Sequence, residues 1–189
     1  IRDRVDPIDG TRDFIAGRPG WAISVALVNT RRPLLGYLYA PARAREAGGE
    51  FWFAEAGKGA WRNGLRLSAS QREALPGARV PAKKLAAEDS DLVLVDQPNS
   101  IALRMAMVGA DEADIVATLR WGFEWDIAAA GLIAREAGAE VTDAFGQPLN
   151  YNKHDPRAFG VLCTSRAIHG AAVERLAERA ARFSVRTKD

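Results

Sequence analysis

The feature that most limits the fold of this chain is a change of hydrophobic pattern near residue 90. Before it, short alternating segments separated by tight turns predict antiparallel strands. These predicted strands are Trp21–Asn29, Pro33–Ala40, Glu50–Ala54, Ala60–Arg62 and Leu65–Leu67. Asn63-Gly64 joins the last two and indicates a tight hairpin, because both residues tolerate positive φ. Residues 1–90 therefore favour an antiparallel meander.

After residue 90, segments with helical and strand periodicity alternate. The predicted strands are Asp91–Val95, Ala113–Val116, Val141-Thr142 and Phe159–Cys163, and the predicted helices are Ser100–Val108, Asp126–Ala137 and Ile168–Phe183. Ser100 is the predicted N-cap of the first helix, and Gly138 ends the second. Interleaved strands and helices favour an α/β fold built in layers. We expect one unit over residues 1–189, with 1–90 and 91–189 as its two parts.

Charge and cysteine content narrow the range of partners and the compartment. Lys and Arg total 26 against 24 Asp and Glu, a net charge of +2 that gives no electrostatic support for nucleic acid or membrane as partner. Cys163 is the single cysteine and lies in an apolar run, so we expect a buried thiol and no internal disulfide. That pattern favours the reducing cytoplasm.

The densest group of chemically useful residues is the string Asp6–Thr11, with the sequence Asp-Pro-Ile-Asp-Gly-Thr. Pro7 makes this segment stiff and non-helical. Hard cations such as Mg²⁺ prefer oxygen ligands, and Asp6, the carbonyl of Ile8 and Asp9 could together hold two of them. The string therefore predicts a metal site near the start of the chain.

The second half of the string predicts an anion site beside the metals. Gly10 allows the backbone to approach a ligand closely, and the N–H groups of Gly10 and Thr11 could then bind phosphate oxygens. A surface turn is the structural alternative, because Asp-Gly and Asp-Pro pairs are common in turns. We favour the functional interpretation, because it accounts for all six residues of Asp6–Thr11.

A second string, Glu124–Ala130, places Asp126 at the start of a predicted helix. An aspartate that only caps the helix would explain this position, and such a cap contributes about 1 kcal/mol. The functional alternative is that Asp126 supplies a third carboxylate to the metals, while the alanines let the helix pack closely beneath the site.

Together these strings resemble the two hallmark motifs of the inositol monophosphatase superfamily. The resemblance extends over nearly the whole chain. The other segments similar to that family are Pro19–Val28, Leu35–Pro41, Gly57–Gly64, Glu136–Gly138, Val141–Asp143 and Gly146–Leu149.

This resemblance implies a layered αβαβα sandwich of the sugar-phosphatase type, usually found as a homodimer. It implies hydrolysis of a small phosphate monoester by a metal-activated water, with about two or three Mg²⁺ ions and, in several members, inhibition by Li⁺. By position, Asp6, Ile8 (through its carbonyl), Asp9 and Asp126 would bind metal, Gly10 and Thr11 would bind phosphate, and Thr11 and Asp9 would serve catalysis. A non-catalytic homologue that binds metal or phosphate is the alternative.

The chain departs from the family pattern at its start. Family members carry a metal-binding glutamate, usually in a Glu-Glu pair, upstream of the first motif. Here only Ile1–Val5 precede Asp6. We therefore expect the sequence to lack an N-terminal part that completes the active site.

The residues around the expected substrate give mixed indications. Inositol-specific relatives carry a glutamate where this chain has Leu119, and Ser100 begins a segment that differs from the family's Gly-Ser/Thr-Ala. Arg12–Phe14 and Glu124 are similar to relatives that act on adenosine 3′,5′-bisphosphate. Arg120 could bind a second phosphate, because guanidinium matches phosphate bidentately. A solvated loop charge is its equally weighted alternative. Ser100 and Arg120 are thus the predicted substrate-binding residues.

Overall fold

The computed structural model describes residues 1–186, which form eleven strands and four α-helices. The strands are β1 (Arg2–Asp9), β2 (Ala22–Asn29), β3 (Arg32–Ala40), β4 (Glu50–Glu55), β5 (Gly59–Arg62), β6 (Leu65–Arg66), β7 (Arg79–Pro81), β8 (Val93–Val95), β9 (Ile115–Phe123), β10 (Glu140–Thr142) and β11 (Arg157–Thr164). The helices are α1 (Thr11–Ile15), α2 (Ile101–Gly109), α3 (Glu124–Glu136) and α4 (His169–Arg186). Among these residues, no helix combines the length and apolar content needed to cross a bilayer.

The first six strands form one sheet in sequence order, and every neighbouring pair is antiparallel. The predicted hairpin is confirmed: Asn63 and Gly64 have φ of 48° and 81°. Strand β1 was not predicted, because Pro7 interrupts its pattern. The pairing of β1 with β2 shifts between Asp6 and Asp9, and this irregularity accommodates a proline that cannot donate to the ladder.

A second sheet has the order β10-β11-β9, and β7 pairs with β8 in parallel. The prediction of a short strand at Ala113–Val116 was wrong in extent, because β9 continues to Phe123 and pairs with β11 along its length. Its second half is largely exposed and shows no apolar alternation. Arg120 therefore lies on a strand and not in a loop.

The elements stack as sheet, helix pair, sheet and helix, in agreement with the predicted layered α/β fold. Helix α3 packs on the six-stranded sheet and against α2, and α4 lies against β9 and β11. One core spans the first sheet and the helix pair; its large buried members include Val28, Leu38, Trp52, Met105 and Ile133. The division into two parts at residue 90 remains a prediction, and residues 187–189 of the second part lie outside the described residues.

The approach of α3 to the sheet depends on small residues. Ala128, Ala129 and Ala130 are fully buried. A Cβ at Gly36 on β3 would lie 2.8 Å from the carbonyl oxygen of Ala129. Real contacts are not this short, so a side chain at Gly36 would push α3 away from the sheet. This close packing fixes the position of α3 on the sheet, and Asp126 lies in the first turn of α3.

We expect Gly36→Ala to lower the free energy of unfolding by about 1–3 kcal/mol, because the added methyl meets backbone atoms that cannot turn aside. Gly170→Ala is the matched control: Gly170 lies in α4 with open space around its Cβ position, and alanine there should be neutral or stabilising by up to about 1 kcal/mol. Urea unfolding of both variants measures the difference. Equal effects would contradict the packing explanation.

Candidate functional site

Strand β1 delivers the first motif to the start of two helices. It ends at Asp9, Gly10 adopts a φ of 90°, and α1 begins at Thr11. A Cβ on Gly10 would lie 2.7 Å from the carbonyl oxygen of Gly20 and 2.8 Å from the amide nitrogen of Ser100. Only glycine meets both the conformation and the space. Gly10 thereby lets the strand end directly against the start of α2.

Asp9 is 8% exposed and is anchored by α2. Its Oδ2 accepts hydrogen bonds from the Ser100 hydroxyl and, at 2.8 Å, from the amide of Ala102. Burial raises the pKa of Asp9; the two hydrogen bonds oppose this shift, and the negative charge of Asp6 adds to it. An ionised Asp9 is therefore oriented by neutral donors, while a neighbouring carboxylate repels it.

Asp126 brings the second motif to the same place. It is half-buried, and its Oδ2 accepts a hydrogen bond from the amide of Phe123 at 3.2 Å. Phe123 is the N-cap residue of α3 and Asp126 the third residue of the helix, so the prediction that Asp126 begins the helix is corrected by two residues. Burial first, and then the negative charges of Asp9 and Asp6, together raise the pKa of Asp126 to about 6, although the hydrogen bond from Phe123 lowers it.

The three carboxylates approach one another without forming a closed cage. In residues 1–186, no group of three or more Asp, Glu, His or Cys side chains converges as the ligands of a bound ion do. Mg²⁺ does not need such a cage, because it keeps several waters and is held by one or two carboxylates together with substrate phosphate. The oxygen-only set of Asp6, Asp9 and Asp126, with its mutual repulsion, fits this kind of cation.

The remaining residues of the first motif surround these carboxylates. The Asp6 Oδ1 accepts a hydrogen bond from the Ile8 amide at 3.0 Å. The Thr11 hydroxyl is exposed and donates to the Ile8 carbonyl at 3.1 Å. Thr11 opens α1, where the first backbone N–H groups have no partner inside the helix. The first motif therefore offers a hydroxyl and helix-start N–H groups directly after its carboxylates in sequence.

The structure separates the two predicted substrate-binding residues. Ser100 caps α2 as predicted, accepting a hydrogen bond from the amide of Leu103 at 2.9 Å. It is fully buried, and its hydroxyl donates to Asp9, so it supports a carboxylate and does not face open space. Arg120, in contrast, is exposed on β9 and lines a cavity.

That cavity has a volume of about 300 Å³ and opens beside Asp126. Besides Arg120 and Asp126, its lining includes Ile101, Thr118, Phe123 and Gly160. Sequence analysis missed these four residues. Gly160 offered the only local indication: it adopts a φ of 69° where the pairing of β9 with β11 shifts. A glycine inside a predicted strand often marks such a bulge.

Sequence analysis also missed the position of Glu124. This carboxylate is only 1% exposed, and it accepts a hydrogen bond from Arg4 Nε at 3.1 Å. The amides of Asn152 and Lys153 donate to it at 2.8 and 3.1 Å. Glu124 therefore joins β1, α3 and the segment before β11 at one buried point.

The fold and the site define a class: layered α/β proteins in which two acidic motifs meet at the start of helices. Comparison with known proteins is more specific. The sequence profile described as the inositol monophosphatase family matches residues 4–182. The chain therefore belongs to the inositol monophosphatase family, as its two motifs predicted.

Two curated relatives illustrate the range within the family. The chain is 36% identical over 154 residues to a fructose-1,6-bisphosphatase/inositol-1-monophosphatase of Thermotoga maritima, covering 77% of this chain and 58% of that protein. It is 31% identical over 159 residues to the 3′(2′),5′-bisphosphate nucleotidase CysQ of Escherichia coli, covering 80% and 62%. The chain thus spans about three fifths of the length of these relatives.

Solved structures agree with the fold. An IMPase of Thermotoga maritima superposes with a TM-score of 0.79 at 30% identity, covering 95% of this chain and 69% of the other. A staphylococcal IMPase-II with bound inositol monophosphate gives a TM-score of 0.81 at 21% identity, covering 97% and 73%. The second likeness supports the fold alone.

Proposed function

We propose that the protein hydrolyses a small phosphate monoester in a Mg²⁺-dependent reaction. The observation that carries this proposal is the approach of Asp126 on α3 to Asp6 and Asp9 on β1, two elements far apart in sequence that pack together, with Asp126 lining a cavity of about 300 Å³. Membership of a phosphatase family supports it. The whole protein would be a phosphoric monoester hydrolase; we further propose that it is cytoplasmic, as its single cysteine favours, and homodimeric, as the resemblance implies.

Each residue of the site has a definable task in this reaction. Asp6, Asp9, Asp126 and the Ile8 carbonyl would hold about two or three Mg²⁺ ions, which when bound make hydroxide available near neutral pH and neutralise the leaving oxygen. The amides of Gly10 and Thr11 would bind phosphate oxygens, and the Thr11 hydroxyl would orient the attacking water. Attack in line on phosphorus then depends on positioning and electrostatics.

The same carboxylates would explain inhibition by Li⁺. A small monovalent cation accepts the same oxygen ligands but brings less charge, so we propose that it competes for a Mg²⁺ position without supporting catalysis. The non-catalytic alternative predicts metal or phosphate binding with no turnover under any of these ions.

Two substrate classes are candidates from the resemblance: an inositol or other polyol phosphate, and adenosine 3′,5′-bisphosphate. Arg120 favours the second, because it lines the cavity beside Asp126 and a second phosphate would match its guanidinium. Arg104 strengthens the positive field: it is half-buried, and its charge acts on both Arg120 and Asp9. A cation in the cavity lining, with a second whose charge reaches it, suits a substrate with two anionic groups.

We expect Mg²⁺-dependent phosphate release from adenosine 3′,5′-bisphosphate to fall by about 10- to 100-fold in kcat/KM in Arg120→Ala, because one charge-assisted pair is lost. Release from inositol 1-phosphate should change less than about threefold. Arg166→Ala, at an exposed position away from the cavity, is the control. A steady-state panel that also includes fructose 1,6-bisphosphate measures this. No release from any substrate by the unmodified protein would favour the non-catalytic alternative.

A further inference from the structure

The buried ion pair between Arg4 and Glu124 joins β1, the strand that carries the first motif, to the second motif. Arg4 Nε lies 3.1 Å from Glu124 Oε2, and the two side chains are 16% and 1% exposed. Arg4 belongs to β1 and Glu124 is the first residue of α3, so the pair spans 120 positions of sequence. A pair that is this well shielded from water is screened little by salt.

The register of the pair places it next to the site. Arg4 precedes Asp6 by two residues in a strand, so both side chains leave β1 on the same face. Glu124 precedes Asp126 by two residues in the first turn of α3. Two successive residue pairs therefore face each other where β1 contacts α3. Arg4 and Glu124 attract each other, whereas Asp6 and Asp126 repel each other.

We infer that Arg4 and Glu124 are positioning residues that hold β1 against the start of α3 and keep Asp6 and Asp126 within reach of a shared cation. The inference rests on the proposed metal site. The attraction offsets the repulsion that would otherwise part the two elements when no cation is bound. The amides of Asn152 and Lys153 donate hydrogen bonds to Glu124 and fix its position. Repulsion between Asp6 and Asp126 therefore cannot easily displace the Arg4–Glu124 pair.

A positioning role and a purely electrostatic role of Arg4 predict opposite changes in cation affinity for Arg4→Met. If Arg4 acted only through its charge, Arg4→Met would make the site more negative and strengthen cation binding, whereas Glu124→Gln would weaken it. If the pair positions the carboxylates, both variants weaken cation binding. The double variant then weakens it no further, because either substitution alone already breaks the link.

The test is direct binding of Mn²⁺, measured by electron paramagnetic resonance of the free ion and by calorimetry, without substrate. The proteins are wild type, Arg4→Met, Glu124→Gln, the double variant and Arg4→Lys. Arg2→Met is the matched control, because it removes a positive charge from the same strand at an exposed position. Thermal unfolding of each metal-free protein shows that the binding data refer to folded material.

We expect about a tenfold weaker Mn²⁺ affinity in both single variants, a similar value in the double variant, partial recovery in Arg4→Lys and no weakening in Arg2→Met. Lower unfolding temperatures with unchanged Mn²⁺ affinity would overturn the inference, and so would tighter binding by Arg4→Met or effects that multiply in the double variant. Absence of binding by the wild type would overturn the metal site itself, a result distinct from failure of the pair alone.

Discussion

Asp126→Asn is expected to abolish Mg²⁺-dependent phosphate release, by about a thousandfold or more, while leaving the metal-free protein at least as stable as the wild type at pH 7. Activity should be lost because the amide cannot replace a carboxylate that holds a cation and neutralises developing charge. Stability should be kept because Asn can still accept the hydrogen bond from Phe123, and because burial and two neighbouring carboxylates disfavour charge on Asp126.

The pH dependence of stability provides a second readout of the same substitution. The pKa of Asp126 is raised from 3.8 to about 6, so between these values the folded protein binds more protons than the unfolded chain. The contribution of Asp126 to the stability of the metal-free wild type should therefore fall as pH rises from about 4 through about 6, and should level off once Asp126 is ionised in both states. Asp126→Asn removes this pH dependence. In the wild type, saturating Mg²⁺ should counteract the loss of stability at higher pH.

Urea unfolding at pH 4, 5, 6 and 7, with and without Mg²⁺, measures the pH dependence of stability. Phosphate release measures the loss of activity in Asp126→Asn. Persistent activity near the wild-type rate in Asp126→Asn would contradict the metal assignment. A metal-free wild type that grows more stable between pH 4 and 6 relative to Asp126→Asn would contradict the repulsion among the carboxylates.

Gly10→Ala is expected to lower the free energy of unfolding by about 3 kcal/mol and to remove activity in whatever protein still folds. The added methyl would stand within 3 Å of two backbone atoms, on Gly20 and Ser100, in a residue whose φ of 90° already disfavours alanine. Any relief of this contact moves the start of α2, and with it the two donors that orient Asp9.

Gly17→Ala separates the cost of a positive φ from the cost of the short contacts made by the added methyl. Gly17 also has a positive φ, 66°, but its Cβ position is open. We expect this control to lose about 1 kcal/mol from backbone strain alone and to keep its activity. Denaturant unfolding and phosphate release of both variants decide the question. Equal losses would show that the close approach at Gly10 carries no weight.

The parts of the fold that the sequence predicted depend on local chemistry. Asn63-Gly64 specifies a hairpin because its two residues accept positive φ, and Ser100 specifies a helix start because its hydroxyl can accept from the first turn. Both were confirmed. Strand β1 was missed because Pro7 is unfavourable in a strand interior, and only the irregular pairing with β2 shows how it is tolerated.

The site divides in the same way. The carboxylates of Asp6, Asp9 and Asp126 were predicted together because short motifs carry them. The support of Asp9 by Ser100 joins residues 91 positions apart, and Arg4 and Glu124 are 120 apart. No local pattern encodes such pairs, since each partner alone has an ordinary capping or surface explanation.

The long separation of the two motifs has a consequence for the lifetime of the folded chain. A cation shared by Asp6 and Asp126 would close a loop of 120 residues, as a reversible cross-link does. Fraying of β1 or of the first turn of α3 would then require release of the ion. Resistance to proteases should therefore rise with Mg²⁺ concentration, and a cell short of magnesium would lose this protein by degradation as well as by inactivity.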